Sequence, residues 1–428
     1  MDMLKSVRQA FKVPEMRKKI FFTILMLLVF RLGSNIPVPG IDRATLSEIF
    51  NGNTGLFDLF DLFSGGAFAN FTIFALGITP YITASIIVQL LGVAFPYFER
   101  LAKEGAEGRK KLVMITRIMT VVLAVVQSLG LTIGLFRRAV IGQTWFNFLL
   151  IILVLSAGTA FLMWIGEQIN EYGIGNGISI LIFAGIAARI PTEVRSVVTQ
   201  YKDGQTSIVG IIVFCLFAVA VVVGIIMVQQ GTRKIPVQYA KRVVGRKQYG
   251  GQSSHIPLKV NQAGVIPVIF AVSLLQFPLT ITYFTASDSK FTLWVTKWLS
   301  PSGNPGIWIY TVLEIVLIIV FNYFYTTITF NPVEIAQNLK SNGGFIPGIR
   351  PGKPTVDYLT NVMSRISIVG AIFLAVIAVL PTIVSKFTGF SIQFGGTSLL
   401  ILVGVAIDMM QSIQNQMLMR NYKGFLKR

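Results

Sequence analysis

The composition of the chain excludes a soluble globular protein. The chain has 428 residues, of which 53% are hydrophobic and only 13% are charged, and its formal net charge is +19. Soluble domains carry about 25% charged residues, so we predict a polytopic membrane protein. The single cysteine and the single histidine exclude a disulfide framework and the usual histidine-cluster metal site.

The N-terminus resembles a signal peptide, with a basic segment followed by an apolar run at Ile20–Phe30. No cleavage site of small residues follows, because the chain continues with RLGSNIPVPG. We therefore predict that this run is a retained first span.

Residues 56–63 read LFDLFDLF, and Ser64-Gly65-Gly66 ends the pattern. As a helix, this segment would cross roughly half of a hydrocarbon core of about 30 Å. A longer apolar helix is predicted directly after it, from near Thr72 to Val93, with Pro80 inside. Each Asp would cost about 2.5–3.5 kcal/mol at a lipid-facing bilayer centre. The short helix therefore lies at an interface or in a cavity, and an interfacial amphipathic helix in an external loop is the alternative.

Ten apolar runs are long enough, or nearly so, to span a membrane. They lie near 20–36, 73–94, 112–136, 146–166, 174–190, 207–228, 264–286, 306–329, 365–385 and 394–411. The run at 174–190 is short, and charge decides whether it spans. With ten spans and an inside N-terminus, the inside segments hold 26 Lys and Arg residues, whereas the outside segments and the outer span ends hold 10, and Arg117 within the third span is left uncounted. Nine spans would move the seven cations of 229–259 outside, against the positive-inside bias, so ten spans are predicted.

Ten spans divide into two sets of five, and an odd number per half means that related halves are inverted in the membrane. We predict a cytoplasmic segment at 1–19, a first half at 20–206, a second half at 207–411 and a cytoplasmic tail at 412–428. An inverted pair places a functional path between the halves, near the midplane.

Two long inside loops are predicted, at 229–259 and 331–363. The first carries seven cations and no acid, and the second presents Arg350 among Gly and Pro residues. Inside cations set topology, but this excess also suits an anionic partner such as an acidic protein face, ribosomal RNA or anionic lipid.

Neither glycine-rich motif of the chain is a nucleotide site. The motif at 173–177 lacks a surrounding βαβ unit, and we predict a helix entrance capped by Asn176 there. The motif at 348–353 is one residue short of a phosphate-binding loop and lacks the following Ser or Thr. Active transport by this chain therefore needs an external source of energy.

Few charged residues lie inside the predicted spans: Arg31, Arg117, Glu314 and Asp408. Glu314 could serve a coupled transporter, but a carboxylate paired with a cation or reaching an interface is the favoured interpretation. Asp408 lies close to the inside end of the last span, and we predict that it lines a vestibule there.

One face of the second span changes from apolar to polar towards the cytoplasm. Ile78, Ile82, Ser85 and Gln89 share this face at helical spacing. The last span repeats the arrangement with Ile401, Val405, Asp408 and Ser412. Such faces suit a funnel closed by an apolar constriction that gates by dewetting, although isoleucine is also common in ordinary spans.

Several motifs together resemble one family over nearly the whole chain. They are IPVPGID (36–42), FSGGAF (63–68), IFALGITPYITASIIVQLL (73–91), GEQINEYGIGNGISI (166–180), PLKVNQAGVIPVIFA (257–271), FNPVEIAQNLK (330–340), GFIPGIRPG (344–352) and FGGTSLLILV (394–403). The chain resembles the SecY family, the channel subunits of the bacterial Sec translocon.

The resemblance implies an all-α polytopic membrane protein with ten transmembrane helices in two inverted five-helix halves, a re-entrant plug helix and a central pore. The implied pore ring is Ile78, Ile82, Ile182, Ile269 and Ile401. The implied plug, at about 55–67, contains Leu56, Phe57, Asp58, Leu59, Phe60, Asp61, Leu62 and Phe63. The implied lateral gate lies between spans two and three and spans seven and eight, and it includes Thr83 and Phe277.

The resemblance also implies partners and a place in the cell. The motor ATPase SecA and the ribosome would dock on the two inside loops, at Arg242, Arg246, Lys247 and Arg350. The family often has two arginines where this chain has Arg246-Lys247, which weakens bidentate recognition there. SecE would clamp the halves, and SecG is an accessory. The clients are signal peptides and unfolded precursor chains, the membrane is the bacterial cell membrane, and both termini are cytoplasmic.

A secondary transporter of a small solute is the alternative, since it also uses inverted repeats and broken helices. It would depend on Glu314 and take up solute without partners, but the scarcity of midplane charge argues against it. An enzyme is not predicted, because no histidine cluster or acid pair stands out, and no cofactor is expected.

Overall fold

The structure, a computed structural model, describes residues 10–46, 61, 64–204, 208–239, 242–244, 247–249, 253–282, 284–285, 289–300, 305–388 and 396–425. Its helices are α1 (Pro14–Gly33), α2 (Thr79–Ala94), α3 (Pro96–Lys103), α4 (Ala106–Leu129), α5 (Trp145–Tyr172), α6 (Gly177–Lys202), α7 (Ile208–Gln230), α8 (Ile266–Thr282), α9 (Lys290–Trp298), α10 (Gly306–Thr329), α11 (Pro332–Ser341), α12 (Lys353–Thr388) and α13 (Gly396–Phe425). The strands are β1 (Thr232–Tyr239), β2 (Arg242–Val244), β3 (Lys247–Tyr249), β4 (Ser253–Lys259) and β5 (Gly344–Phe345).

Each of the ten predicted apolar runs overlaps one helix, and the helical membrane fold is confirmed. Seven helices within the described ranges are long and apolar enough to cross a membrane, and α2 with α3 makes an eighth if the bent pair counts as one span. Helix α8 is apolar but has only 17 residues. The doubtful run at 174–190 belongs to the 26-residue helix α6, so it is long enough to span.

The second span begins later than the sequence predicts. Thr72 forms an isolated β-bridge with Pro37, residues 73–78 form turns, and α2 starts only at Thr79. The reason is local: Gly77 has a left-handed φ of +57°, and Pro80 occupies the first turn of the helix, where its missing N–H costs nothing. Pro80 therefore starts this helix rather than interrupting it, and Ile78 is its N-cap residue.

Helix α6 begins where the glycine motif predicts a helix entrance. The Asn176 side chain accepts hydrogen bonds from the backbone N–H groups of Ile178 and Ser179, which is the capping expected of asparagine. Asn170 on the preceding helix accepts from the N–H of Gly177 at 2.7 Å. These bonds satisfy N–H groups that have no partner inside the helix, and they fix α6 against α5.

The main core joins the two halves of the chain. Helix α2 contacts α8, and α6 contacts α13, so both helix pairs connect the first half with the second. Buried Ile, Val, Leu and Phe side chains from these helices, and from α1, α5, α7, α10 and α12, form one contiguous hydrophobic cluster. A second cluster packs the turns before α2 against α4 and α5, with the Phe71 and Phe136 rings 4.8 Å apart.

The two loops that are predicted to lie inside are joined by a small antiparallel sheet, which the sequence analysis did not assign. Its strand order is β4-β1-β5, so a strand from the loop at 331–363 pairs with one from the loop at 229–259. Ile235 and Val237 of β1 are buried, and their neighbours in the strand are exposed. This alternation is a strand pattern, and the buried side chains pack on residues from α11 and α12.

Candidate functional site

The five isoleucines of the predicted pore ring lie together in the main core. Ile78 and Ile82 come from the start of α2, Ile182 from α6, Ile269 from α8 and Ile401 from α13. All five are buried, with 0 to 7% of each residue exposed, and all belong to the same hydrophobic cluster. Two helices of each half contribute to this group. The five isoleucines are therefore a cluster of apolar side chains at the boundary between the halves.

Two of the faces that carry these isoleucines become more exposed towards the C-terminal ends of their helices, α2 and α13. On α2, Ile82 is buried, Ser85 is half-buried and Gln89 is exposed, and the Gln89 amide donates to Ser85 Oγ at 3.1 Å. On α13, Ile401 and Val405 are buried, whereas Asp408 is exposed. Near the C-terminal half of α13, Lys259 Nζ donates to Gln411 Oε1 at 2.9 Å. On both helices, polar side chains therefore follow the buried isoleucines on the C-terminal side.

Most of the predicted plug lies outside the described residues: Leu56, Phe57, Asp58, Leu59, Phe60, Leu62 and Phe63. Asp61 is described, and it is buried with 8% of its surface exposed. Its Oδ1 accepts hydrogen bonds from Ser64 Oγ at 3.2 Å and from the N–H of Ala69 at 3.0 Å. Its Oδ2 lies 3.5 Å from Arg189 Nη1. Asp61 is therefore enclosed by protein, as the cavity interpretation of this segment requires.

The sequence analysis missed the partners of this aspartate. Arg189 lies at the end of the short apolar run at 174–190, and it ion-pairs with Asp61 and, through Nη2 at 3.6 Å, with Glu193. Arg31 donates from Nη1 to the carbonyl oxygen of Gly65 at 3.2 Å. The available signal was that both arginines lie in or next to apolar runs, where a cation needs a partner.

The two residues assigned to the lateral gate lie on helices that contact one another. Thr83 on α2 is half-buried, and its Oγ1 donates to the carbonyl of Thr79 at 3.0 Å. Phe277 on α8 is 49% exposed. Next to it in sequence, Gln276 is buried, and neither of its side-chain polar atoms has a partner among the described residues. A buried amide without partners weakens this part of α8, and the sequence analysis did not single it out.

The predicted docking residues lie on the paired inside loops. Arg242 and Lys247 belong to the hairpin of β2 and β3, in which Arg242 pairs with Tyr249 and Val244 with Lys247. Arg246 lies outside the described residues. Arg350 is exposed, and its carbonyl accepts a hydrogen bond from Thr355 Oγ1 at 2.9 Å, which ties the loop to the start of α12.

The position of Glu314 does not match the favoured interpretation, in which its carboxylate pairs with a cation or reaches an interface. It is buried in α10, with 7% exposed, and no cation lies within salt-bridge distance of it in the part of the chain that the structure describes. Of the charged residues predicted inside spans, Arg117 does pair with an opposite charge, since its Nε lies 2.6 Å from Glu167 Oε1.

Comparisons with known proteins agree on one family. The family model for SecY matches residues 72–410. The chain is 50% identical to the protein translocase subunit SecY of Halalkalibacterium halodurans, over 99% of this chain and 100% of that protein.

Two solved structures share the fold. One is described by the statement that the plug domain of the SecY protein stabilises the closed state of the translocation channel and maintains a membrane seal. It is 19% identical, with a TM-score of 0.67, and covers 93% of this chain and 92% of that one. The other is Sec61 in the canine ribosome-channel complex from the endoplasmic reticulum. It is 18% identical, with a TM-score of 0.60, and covers 93% of this chain and 92% of that one.

Proposed function

The chain belongs to the SecY family of protein translocase subunits, and from this membership we propose that its five isoleucines form the constriction of the pore. The protein is a protein-conducting channel that moves unfolded secretory polypeptides across a membrane and releases transmembrane segments sideways into lipid. The family is a translocation channel rather than a catalytic enzyme, and a secondary transporter of a small solute is not favoured.

An isoleucine constriction suits a channel that must pass many side chains and still exclude ions when idle. A fixed polar filter would bind some sequences and delay them. Apolar side chains instead move aside around a polypeptide, and a narrow apolar passage excludes water when empty. The observation that supports this role is that five isoleucines from both halves lie buried in one cluster, with polar residues on its cytoplasmic side.

We assign residues 55–67 to a plug that closes the outer side of this constriction. The support is the burial of Asp61 and the contacts of the following turn with α1 and α6. The solved channel with the related fold is described as having a plug domain that maintains a membrane seal. The paired Leu and Phe residues of the plug would supply the apolar surface that packs under the isoleucines.

The lateral gate is assigned to the boundary between α2 with α4 and α8 with α10, with Thr83 and Phe277 in the two main gate helices. A hydrophobic segment inside the pore gains about 25 cal/mol for each Å² of apolar surface that leaves water. Sideways opening between α2 and α8 therefore sorts segments by hydrophobicity, since only apolar segments gain by entering lipid.

The ribosome and SecA are proposed to dock on the paired inside loops, through Arg242, Arg246, Lys247 and Arg350. The related Sec61 channel is described in a ribosome complex, and ribosomal RNA and acidic protein faces both attract this basic surface. We also propose that SecE clamps the two halves and that SecG is an accessory subunit. Anionic lipids are proposed to surround the assembly. The proposed location is the bacterial cell membrane, with both termini in the cytoplasm.

The constriction is tested by replacing Ile82 and Ile269 with glycine together. We expect higher ion conductance of the idle channel in planar bilayers, because two of the five apolar side chains that exclude water are gone. The matched control replaces Ile225 and Ile318 with glycine. These two isoleucines are fully buried in the same cluster, but they lie on α7 and α10 and do not belong to the proposed constriction. Both double variants lose similar packing, so equal conductance in the two would contradict the assignment.

A further inference from the structure

A short helix lies between two spans of the second half, at the end of the spans that is remote from the paired loops. Helix α9 follows α8 and precedes α10 in the chain. Because α8 starts shortly after β4, the segment beyond its other end lies one crossing away from the sheet of β1, β4 and β5. With nine residues, α9 is about 14 Å long, roughly half of a hydrocarbon core of about 30 Å. It is therefore too short to span the membrane.

The exposed face of α9 combines two lysines with large apolar side chains. Phe291, Leu293 and Trp294 are 42 to 57% exposed, and Lys290 and Lys297 are exposed as well. At about 100° per residue, both lysines lie within about 60° of Leu293 and Trp294 around the helix. The charged and apolar side chains therefore share one face.

The other face of α9 is fixed to the second half of the chain. Val295 is fully buried, and Thr292 Oγ1 lies 2.7 Å from Thr285 Oγ1, in the segment that follows α8. Gly306, the first residue of α10, lies so close to the carbonyl of Lys297 that no space is left for a Cβ. The exposed face therefore cannot turn away without moving the adjoining ends of α8 and α10.

Neither water nor hydrocarbon suits this exposed face. Aromatic and aliphatic side chains are favoured by leaving water, whereas a lysine is costly in hydrocarbon. The membrane–water interface suits both, because aromatic rings lie at the level of the headgroups and lysine ammonium groups reach the phosphates. Trp308, near the start of α10, is also 55% exposed, so aromatic residues continue along this end of the neighbouring span.

We propose that the exposed face of α9 binds the headgroups of anionic phospholipids, in the leaflet remote from the paired loops. Lys290 and Lys297 contact the lipid phosphates, and Phe291, Leu293 and Trp294 enter the region between the headgroups and the acyl chains. The charge selects anionic lipid, since α9 contains two lysines and no acidic residue. Because α9 is fixed to α8 and α10, the lipid surface holds the ends of both helices at one depth.

The test measures by fluorescence quenching which lipid contacts α9. In a Cys215→Ala background, Leu293→Cys carries a fluorophore, and the full chain is reconstituted with SecE in phosphatidylcholine vesicles. A small fraction of the lipid is phosphatidylglycerol or phosphatidylcholine with a nitroxide near its headgroup. We expect phosphatidylglycerol to quench with an association constant at least about fivefold larger, which is the effect of one lysine near an anionic surface. Phe291→Cys gives a second labelling position if the label at Leu293→Cys disturbs folding.

Charge-matched variants separate this site from the general charge of the protein. Lys290→Gln with Lys297→Gln should abolish the preference, so that both nitroxide lipids quench equally. The control is Arg138→Gln with Lys202→Gln, which removes two exposed cations from other segments predicted to lie at the same end of the spans. The control should keep the preference for phosphatidylglycerol. An equal loss in both double variants would overturn the site, because the lipid would then respond only to net charge.

Iodide, a quencher that stays in water, reports any other environment of this face. Stronger quenching by iodide than by the nitroxide lipids would place the face of α9 in water. Protection from both kinds of quencher would mean that a protein covers it. Either result, or equal quenching by the two nitroxide lipids while both lysines are present, would overturn the inference.

Discussion

Isoleucine at the five positions of the proposed constriction combines bulk with a side chain that offers no hydrogen bond to a passing chain. Pro80 and Pro267 lie in the first turns of α2 and α8, the helices that carry Ile82 and Ile269. The buried cluster keeps these side chains in contact with neighbours on both halves. At this scale the seal depends on packing, because an apolar passage excludes ions only while its side chains leave no space for water.

The turn that follows the proposed plug has no space for a side chain at Gly65. Gly65→Ala adds a Cβ that would lie 2.7 Å from the Cα of Gly185, so the turn must move away from α6. We expect idle conductance in planar bilayers to increase, because the displaced turn carries Asp61 away from Arg189.

Gly66→Ala is the matched control for this change. Gly66 also has a left-handed φ, of +90°, but a Cβ there would meet no atom within 4 Å. Both variants carry a backbone penalty of about 1 kcal/mol, and only Gly65→Ala adds the clash. If Gly66→Ala raised conductance as much, the contact with Gly185 would not be what holds the turn.

At the scale of elements, the sheet makes the two inside loops one surface. Gln238 and Tyr239 of β1 pair with Phe345 and Gly344 of β5, and the apolar side chains beneath them pack on α11 and α12. A partner that pushes on either loop therefore acts on both, and through α12 on the second half of the channel.

Arg350→Glu should reduce transport driven by SecA by about tenfold, which is the effect of losing one well-placed charge contact of 1.4 kcal/mol. Arg350 is exposed, and only its backbone carbonyl contributes a described bond, so folding and membrane insertion should be unchanged. The measurement is protease protection of a secretory precursor in proteoliposomes with SecE and SecA.

Lys353→Glu makes the same change of charge three residues away, at another exposed position. It should reduce transport much less than Arg350→Glu if Arg350 makes a specific contact. Equal losses would mean that only the net charge of the loop matters.

The helices were predictable from sequence, whereas the sheet and one helix boundary were not. Long apolar runs determine helices in a membrane because no other local structure satisfies the backbone there. The strand β1 was missed because its alternation, with Ile235 and Val237 inward, is short and lies within a basic loop. The start of α2 was placed too early because hydropathy does not detect the left-handed turn at Gly77.

At the scale of the whole molecule, some residues of the candidate site were predictable from sequence and others were not. The five isoleucines were identified through motifs, and hydropathy alone could not have separated them from other isoleucines. The ion pair of Asp61 with Arg189 and the hydrogen bond from Arg31 to the Gly65 carbonyl were not predictable, since these residues are far apart in sequence and meet only when α1, the turn and α6 pack together. Long-range contacts between charges require the assembled fold, while local periodicity does not.

The topology of the whole chain gives the last prediction, and it depends on α6 crossing the membrane. If α6 spans, Asp203 at its end lies outside and His255 in β4 lies inside; if it does not, the loop at 229–259 changes sides. Both side chains are exposed, so cysteines placed there are accessible to a reagent that cannot cross the membrane. The native Cys215 is the single cysteine of the chain, and Cys215→Ala gives a background without thiols.

In right-side-out vesicles, a membrane-impermeant maleimide should label Asp203→Cys directly and His255→Cys only after the membrane is permeabilised. The positive-inside bias is the physical reason, because the seven cations of the loop at 229–259 favour the cytoplasmic side. Solubilised protein provides the control, since both cysteines should then react equally. Direct labelling of His255→Cys in intact vesicles would place the basic loop outside, and the two halves could then not be inverted five-helix sets.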